Sequence, residues 1–275
     1  MAIKRWIGTD GSYSTNGNWS AANVPVNADT VRLGPDRGTS ITSGLNQSAV
    51  DLAAFYVDDG FGYDIASAVA NLQISTAIFR YAGLGQAFID LGSTAVSPVV
   101  DSTGSADEGE NGLYLIGSGI AVLTINGGDV GVAAQPGDTA TVTTLRVNGT
   151  ASKVDVGAGT SLTNLGVYGG RVLLRAAGTT VNVYGGELNT REIGAITTLN
   201  IYGGRVISES TGTITTVNLY GGILDMSTSN IPRTITTMNQ HARTQSEFIY
   251  DPAVITITNA LGTPERPVRK LLIAN

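Results

Sequence analysis

The sequence contains no cysteine and a single histidine. The first absence excludes a disulfide framework and any thiolate-bound metal, and it leaves the redox compartment open. The second leaves little imidazole for base catalysis or metal ligation. Charged residues make up only 14% of the chain and hydrophobic residues 42%. A disordered chain would reverse that balance, so a folded protein with a sizeable core is expected. No apolar run reaches transmembrane length, and Met1-Ala-Ile-Lys-Arg-Trp6 offers two basic residues without the apolar stretch of a signal peptide. A soluble protein with no membrane association and no secretory signal is the expectation. The formal net charge of −6 comes with no visible basic stripe, which argues against a nucleic-acid partner.

Glycine is abundant instead, at 36 residues about twice the usual share. It recurs with a period. Tyr168-Gly-Gly170, Tyr184-Gly-Gly186, Tyr202-Gly-Gly204 and Tyr220-Gly-Gly222 lie at intervals of 16, 18 and 18 residues, each after an apolar, any, apolar triplet. So short a period means a solenoid rather than a sandwich or barrel. Alignment extends it backwards to Leu123-Thr-Ile-Asn-Gly-Gly128 and Leu145-Arg-Val-Asn-Gly-Thr150, giving six coils, and forwards to Thr236-Thr-Met-Asn-Gln-His241. The fold class expected is all-β: a single-chain parallel β-helix (β-solenoid) with coils of about 16–22 residues, right-handed by the general preference of parallel crossovers.

Side chains two apart share one face of a strand, so Leu123, Leu145, Leu165, Val181, Leu199 and Val217 form one inward column. Ile125, Val147, Val167, Val183, Ile201 and Leu219 form a second, and Val130, Val172, Leu188, Val206 and Leu224 a third beyond the glycine corner. The outward positions should stack too. Tyr168, Tyr184, Tyr202 and Tyr220 are expected to form an aromatic ladder ending on His241, and Asn182, Asn200, Asn218 and Asn239 an amide ladder beside it.

Four segments follow. Residues 1–33 read as an N-terminal cap and first strand, Thr30–Leu33, with Trp6 and Trp19 as apolar plates over the open end of the stack. Residues 34–112 read as irregular coils, with strands at Ala49–Val57, Leu72–Ile74, Ala77–Tyr81 and Ala87–Leu91, either a short helix or a tight coil at Ala66–Leu72, and a polar loop at Asp101–Asn111. Residues 113–260 are the regular solenoid, with one more strand at Ala253–Thr258, and 261–275 a C-terminal cap or docking tail.

Candidate chemistry is thin. His241 has only Thr244 and Ser246 near it in sequence, with nothing like a nucleophile elbow. Polysaccharide cleavage needs two carboxylates at a fixed distance or a base with an arginine, and the candidates are Asp58 with Asp59 and the cluster Asp107, Glu108 and Glu110. Asp129, Asp155, Glu187, Glu192, Glu209 and Asp225 do not fall in one column. No catalytic residue, cofactor or metal ligand is assigned. The sequons at Asn18, Asn46 and Asn148 have the frequency of chance triplets. Exposed tyrosine or tryptophan rings would suit a glycan, and that is the alternative partner.

The run Trp6, Asn18-Trp19-Ser20, Pro25, Asp29-Thr-Val31 resembles the opening of bacterial and bacteriophage parallel β-helix proteins. Gly44-Leu45, Phe55-Tyr-Val57, Tyr81-Ala-Gly83 and the later Gly-Gly repeats are similar to those of phage virion proteins. The resemblance implies a β-helix, often a homotrimer, carried on a virion as a capsid decoration (cement) protein or a tail-associated fibre. Its partners would be the major capsid protein or other virion proteins. A tailspike-like polysaccharide depolymerase or glycan-binding fibre module is the alternative.

Overall fold

The computed structural model describes residues 2–35, 38–104, 111–192, 194–241 and 246–262. Among them are 23 strands and one 3₁₀ turn, Asn16–Asn18. The chain is a parallel β-helix, a β-solenoid of about ten turns. Contacts divide it into two units, Met1–Thr143 and Thr144–Asn275.

In the second unit the strands form two columns. One contains Thr160–Val167, Gly178–Val183, Ile196–Ile201, Ile214–Leu219, Arg233–Gln240 and Ile255–Leu261; we call it the ladder sheet. The other contains Lys153–Val156, Arg171–Leu174, Glu187–Thr190, Arg205–Ser208, Gly222–Asp225 and Ser246–Ile249. Register along the ladder sheet runs Leu165, Val181, Leu199, Val217, Met238, so like stacks on like. Each of the first four is fully buried, as are Val167, Val183, Ile201 and Leu219 beside them. Across the corner Val172, Leu188, Val206 and Leu224 are buried in the second sheet. Burial at every turn of apolar area that a lone coil would leave wet stabilises the stack cooperatively.

The corner rests on the second glycine of each pair. Gly186 and Gly204 have φ of 72° and 71°, and a Cβ on Gly186 would sit 2.5 Å from the Gly170 carbonyl oxygen. Alanine there would meet both left-handed strain and a backbone clash. Between Leu224 and Met238 the path is longer, and buried Arg233 holds it. Its guanidinium donates to the carbonyls of Ser208, Met226, Ser229 and Ile231, and burial pushes its pKa down.

The first unit follows the same plan less evenly. Ile3–Arg5 is the first strand and pairs with Thr30–Leu33, so the chain enters the sheet earlier than the sequence pattern predicts. Thr30–Leu33 then pairs with Ala54–Val57, which pairs with Phe79–Tyr81. The expected single strand Ala49–Val57 is two: Asn46–Leu52 pairs with Leu72–Thr76 in the other column, and the chain turns at Ala53. No helix forms at Ala66–Leu72. Ile65 is bridged to Ile41 and Ala87, Ala66 has φ of 65°, and Ser67 pairs with Ala70 in a turn that leads into the strand at Leu72. Neighbouring coils dictate that path, overriding the helical preference of alanine. Leu113–Ile125 serves both columns, pairing with Ala87–Asp90 at its start and with Val99–Val100 at its end.

The outer edge of Ile3–Arg5 is closed by its own cap. Trp6 and Trp19 form an antiparallel bridge, Ile7 N–H donates to Asn18 O, and Ser20 N–H donates to Arg5 O. An edge strand would otherwise present unpaired groups to any passing chain. Residues 105–110, with Asp107, Glu108 and Glu110, and residues 263–275 of the tail lie outside the described residues, as does Thr244.

Candidate functional surface

Successive ladder-sheet strands end on tyrosine, and each tyrosine N–H donates to the previous coil: Tyr184 to Val167 O, Tyr202 to Val183 O and Tyr220 to Ile201 O, all at 2.8 Å. His241 repeats the bond, to Leu219 O at 3.0 Å. With the backbones locked in register the rings stack. Centroid separations from Tyr168 through Tyr184, Tyr202 and Tyr220 are 4.7, 4.9 and 4.8 Å, and Tyr220 to His241 is 4.2 Å, at interplanar angles of 9°, 4°, 2° and 14°. The column is exposed, with Tyr184 and Tyr202 each at 45%, but neighbouring rings cover the faces. Edges and hydroxyls meet solvent. A sugar lying flat on Tyr184 would have to enter gaps that its neighbours fill.

Two residues earlier on the same outward face the amides form a continuous chain. Asn200 Nδ2 donates to Asn182 Oδ1 at 2.8 Å, Asn218 to Asn200 at 2.7 Å and Asn239 to Asn218 at 2.7 Å. Before them comes a threonine column, with Thr180, Thr198, Thr216 and Thr237 in register. The Thr-any-Asn-any-Tyr pattern thus becomes a grid of hydroxyl, amide and phenol groups about 4.8 Å apart from coil to coil.

Trp6 and Trp19 are not a surface platform. They are 2% and 0% exposed, with centroids 5.1 Å apart at 71°, and Tyr13 packs on Trp19 at 4.7 Å. Their indole N–H groups donate to Thr39 O and Tyr13 O. Gly8 makes room, since a Cβ there would fall 2.4 Å from the Trp6 ring. The Tyr13 hydroxyl is buried without a partner, and burial pushes its pKa up. Asn18 is also buried, its amide donating to Asp10 and to Ser12 O, so its sequon is not an accessible glycan acceptor.

The carboxylates are engaged elsewhere. Asp58 does not act with Asp59; it receives Arg32 Nη2 at 2.7 Å and Nε at 3.1 Å. The six acids do not fall in one column, since Glu187 lies with Arg171 and Arg205, but Asp155 and Asp225 do share one, through Leu173, Asn189 and Ile207. Four strand steps separate them by about 19 Å, beyond the ~5 to ~10 Å of a glycosidase pair. Sequence reasoning missed a closer group. Arg175 binds Asp155 through Nε at 3.1 Å and Nη2 at 2.6 Å and approaches Glu192 at 3.7 Å. Burial raises the Asp155 pKa, against the lowering effect of the Arg175 hydrogen bonds. Both Asp155 oxygens are occupied by the fork, so the geometry is that of an ion pair rather than a proton donor. The only advance signal was a spacing of roughly one coil on either side of Arg175.

Basic residues also align where the sequence shows no stripe: Arg5, Arg32 and Arg80 share an outward column of the first unit, with Tyr56 between the last two. Arg32 is paired with Asp58 and lies over Tyr56 at 5.5 Å. Among the described residues no group of three or more His, Cys, Asp or Glu could hold a metal, and no helix is long and apolar enough to cross a membrane. Comparison with protein-family models, with curated proteins and with solved structures finds no match.

Proposed function

We propose that this chain is a structural protein of a bacteriophage particle, a capsid decoration (cement) protein that stabilises the shell through repeated weak contacts with the major capsid protein. The observation that carries this reading is that outward polar side chains of the second unit are spent on the next coil, in the asparagine and tyrosine columns and in pairs such as Arg171–Glu187 and Arg205–Asp225. Such a surface gives stiffness and repetition. A shell presents many identical sites, so modest contacts add through valency. The resemblance of the opening and of the Gly-Gly repeats to virion β-helices points the same way. Mass spectrometry of purified particles is expected to find the protein at a fixed ratio to the shell subunit, and particles lacking it should release their genome at lower temperature. Purified particles without the protein would end the proposal. Release of sugar from host polysaccharide would favour the depolymerase instead.

A further inference from the structure

From Thr160 onward the two strand columns of the second unit divide exposed charge between them. The six ladder-sheet strands from Thr160 to Leu261, with the rings that follow them, contain one charged residue, Arg233. It is buried, so their outward face carries none. The strand before them, Ala140–Val147, exposes Arg146 at the margin of that face. Each of the six strands of the other sheet has at least one: Lys153 and Asp155, Arg171, Glu187, Arg205, Asp225 and Glu247. Strands of an ordinary solvated sheet would carry charge on either outward face. Here an exposed, regular, tyrosine-edged face has none.

We infer that this face is where a second copy of the chain docks, the two ladder sheets meeting face to face. Three observations select that occupant. First, the chain has a formal net charge of −6, and the charge-free face is a surface on which two anionic copies meet without opposing like charges. Second, depletion of charge with enrichment of tyrosine is the signature of an interface centre. Asparagine ladders and stacked aromatic rings on a flat sheet are the side chains that interdigitate when identical sheets pair. Third, a partner must present the same spacing between coils, and a second copy does so by construction. Self-complementary patches of this kind generate two-fold pairs.

Five steps of about 4.8 Å by about 17 to 20 Å of strand give a face on the order of 400 to 500 Å², or roughly 1,000 Å² buried in total. That lies at the lower end of specific interfaces, among the transient ones, so pairing should be reversible and depend on concentration. Docking through this face is independent of whether the chain sits on a particle.

Sedimentation of the full chain over a concentration series is the test. The expected mass rises from that of one 28.3 kDa chain to that of two. The double substitution Thr198→Lys with Thr216→Lys puts charge in the middle of the face and should hold the protein at one chain with an unchanged circular-dichroism spectrum. Ile207→Lys, on the other sheet, should leave pairing intact and controls for added charge. A single-chain mass at every concentration, or an assembly of any size that survives the double substitution, overturns the inference. So does a single chain retarded by neutral polysaccharide in a gel and released by the same double substitution, which would assign the face to a glycan.

Discussion

In the unit Met1–Thr143 most aromatic rings face inward, with exceptions such as Tyr56 and Tyr63. Trp6, Tyr13, Trp19, Phe55, Phe61, Phe79 and Tyr81 are all buried, and Phe55 stacks on Phe79 at 6.0 Å within the core. In the unit Thr144–Asn275 the core is chiefly Val, Leu and Ile, and Tyr168, Tyr184 and Tyr202 stand outside it. Large rings inside fill coils of uneven length, because a ring occupies volume that a variable backbone leaves open. Even coils need only branched aliphatic side chains within, and their regularity is what lets identical rings stack outside. Irregularity therefore goes with aromatic cores, and repetition with aromatic surfaces.

Removing an inner ring should do the most damage. Trp19→Ala takes away a side chain packed against Trp6 and Tyr13 and closing the first strand's edge. The expected loss is about 3–5 kcal/mol. Both tryptophans lie in the first unit, so the remaining Trp6 reports that unit in a denaturant titration. A midpoint unchanged from wild type would refute the capping role.

Removing an outer ring should do less. Tyr202→Ala breaks two stacked contacts, at 4.9 and 4.8 Å, each worth about 0.5–1.5 kcal/mol. Circular dichroism should show the second unit melting earlier while the tryptophan-reported transition holds. Tyr202→Phe keeps the stack and should behave like wild type. A Phe variant as unstable as the Ala variant would mean that the hydroxyl, and not the stacked ring, supplies the stabilisation.

The regular coils were legible because each level of pattern agreed: alternation placed Leu199 and Ile201 inward, Gly204 marked the corner, and Asn200 and Tyr202 recurred in their own columns. Ile3–Arg5 was not legible, since three residues, two of them basic, carry no strand signal of their own. Pairing with Thr30–Leu33 makes them a strand. Ala66–Leu72 failed for the converse reason, a local helical preference losing to the bridges of Ile65 with adjacent coils. The meeting of Asp155, Arg175 and Glu192 is diagonal, since Asp155 pairs in register with Leu173, two residues before Arg175, so column counting could not find it. The charge partition was present in the letters, but it is visible only once register shows which strands share a sheet.

The smallest effect, and the one that separates inner from outer rings most cleanly, is expected at alkaline pH. Burial raises the pKa of Tyr13 and of Tyr81, the latter helped by Asp64. Partial burial raises Tyr184 too, with added repulsion from Tyr168 and Tyr202 should they ionise. A pKa raised on folding contributes stability that is full below the ordinary tyrosine value of about 10 and is lost as pH rises through the folded value. The two groups should reach that loss differently. The Tyr184 ring is exposed at the ladder, so its hydroxyl can ionise in place, quickly and reversibly. Tyr13 and Tyr81 must leave the core to ionise, so they should titrate slowly and together with a change in tryptophan fluorescence. Tyrosinate absorbance followed alongside that fluorescence should resolve a fast phase without a tryptophan signal and a slow phase with one. Tyr184→Phe should shrink only the fast phase. If both signals move together at one pH and one rate, the rings on the two sides of the wall are not independent, and the contrast between the units fails.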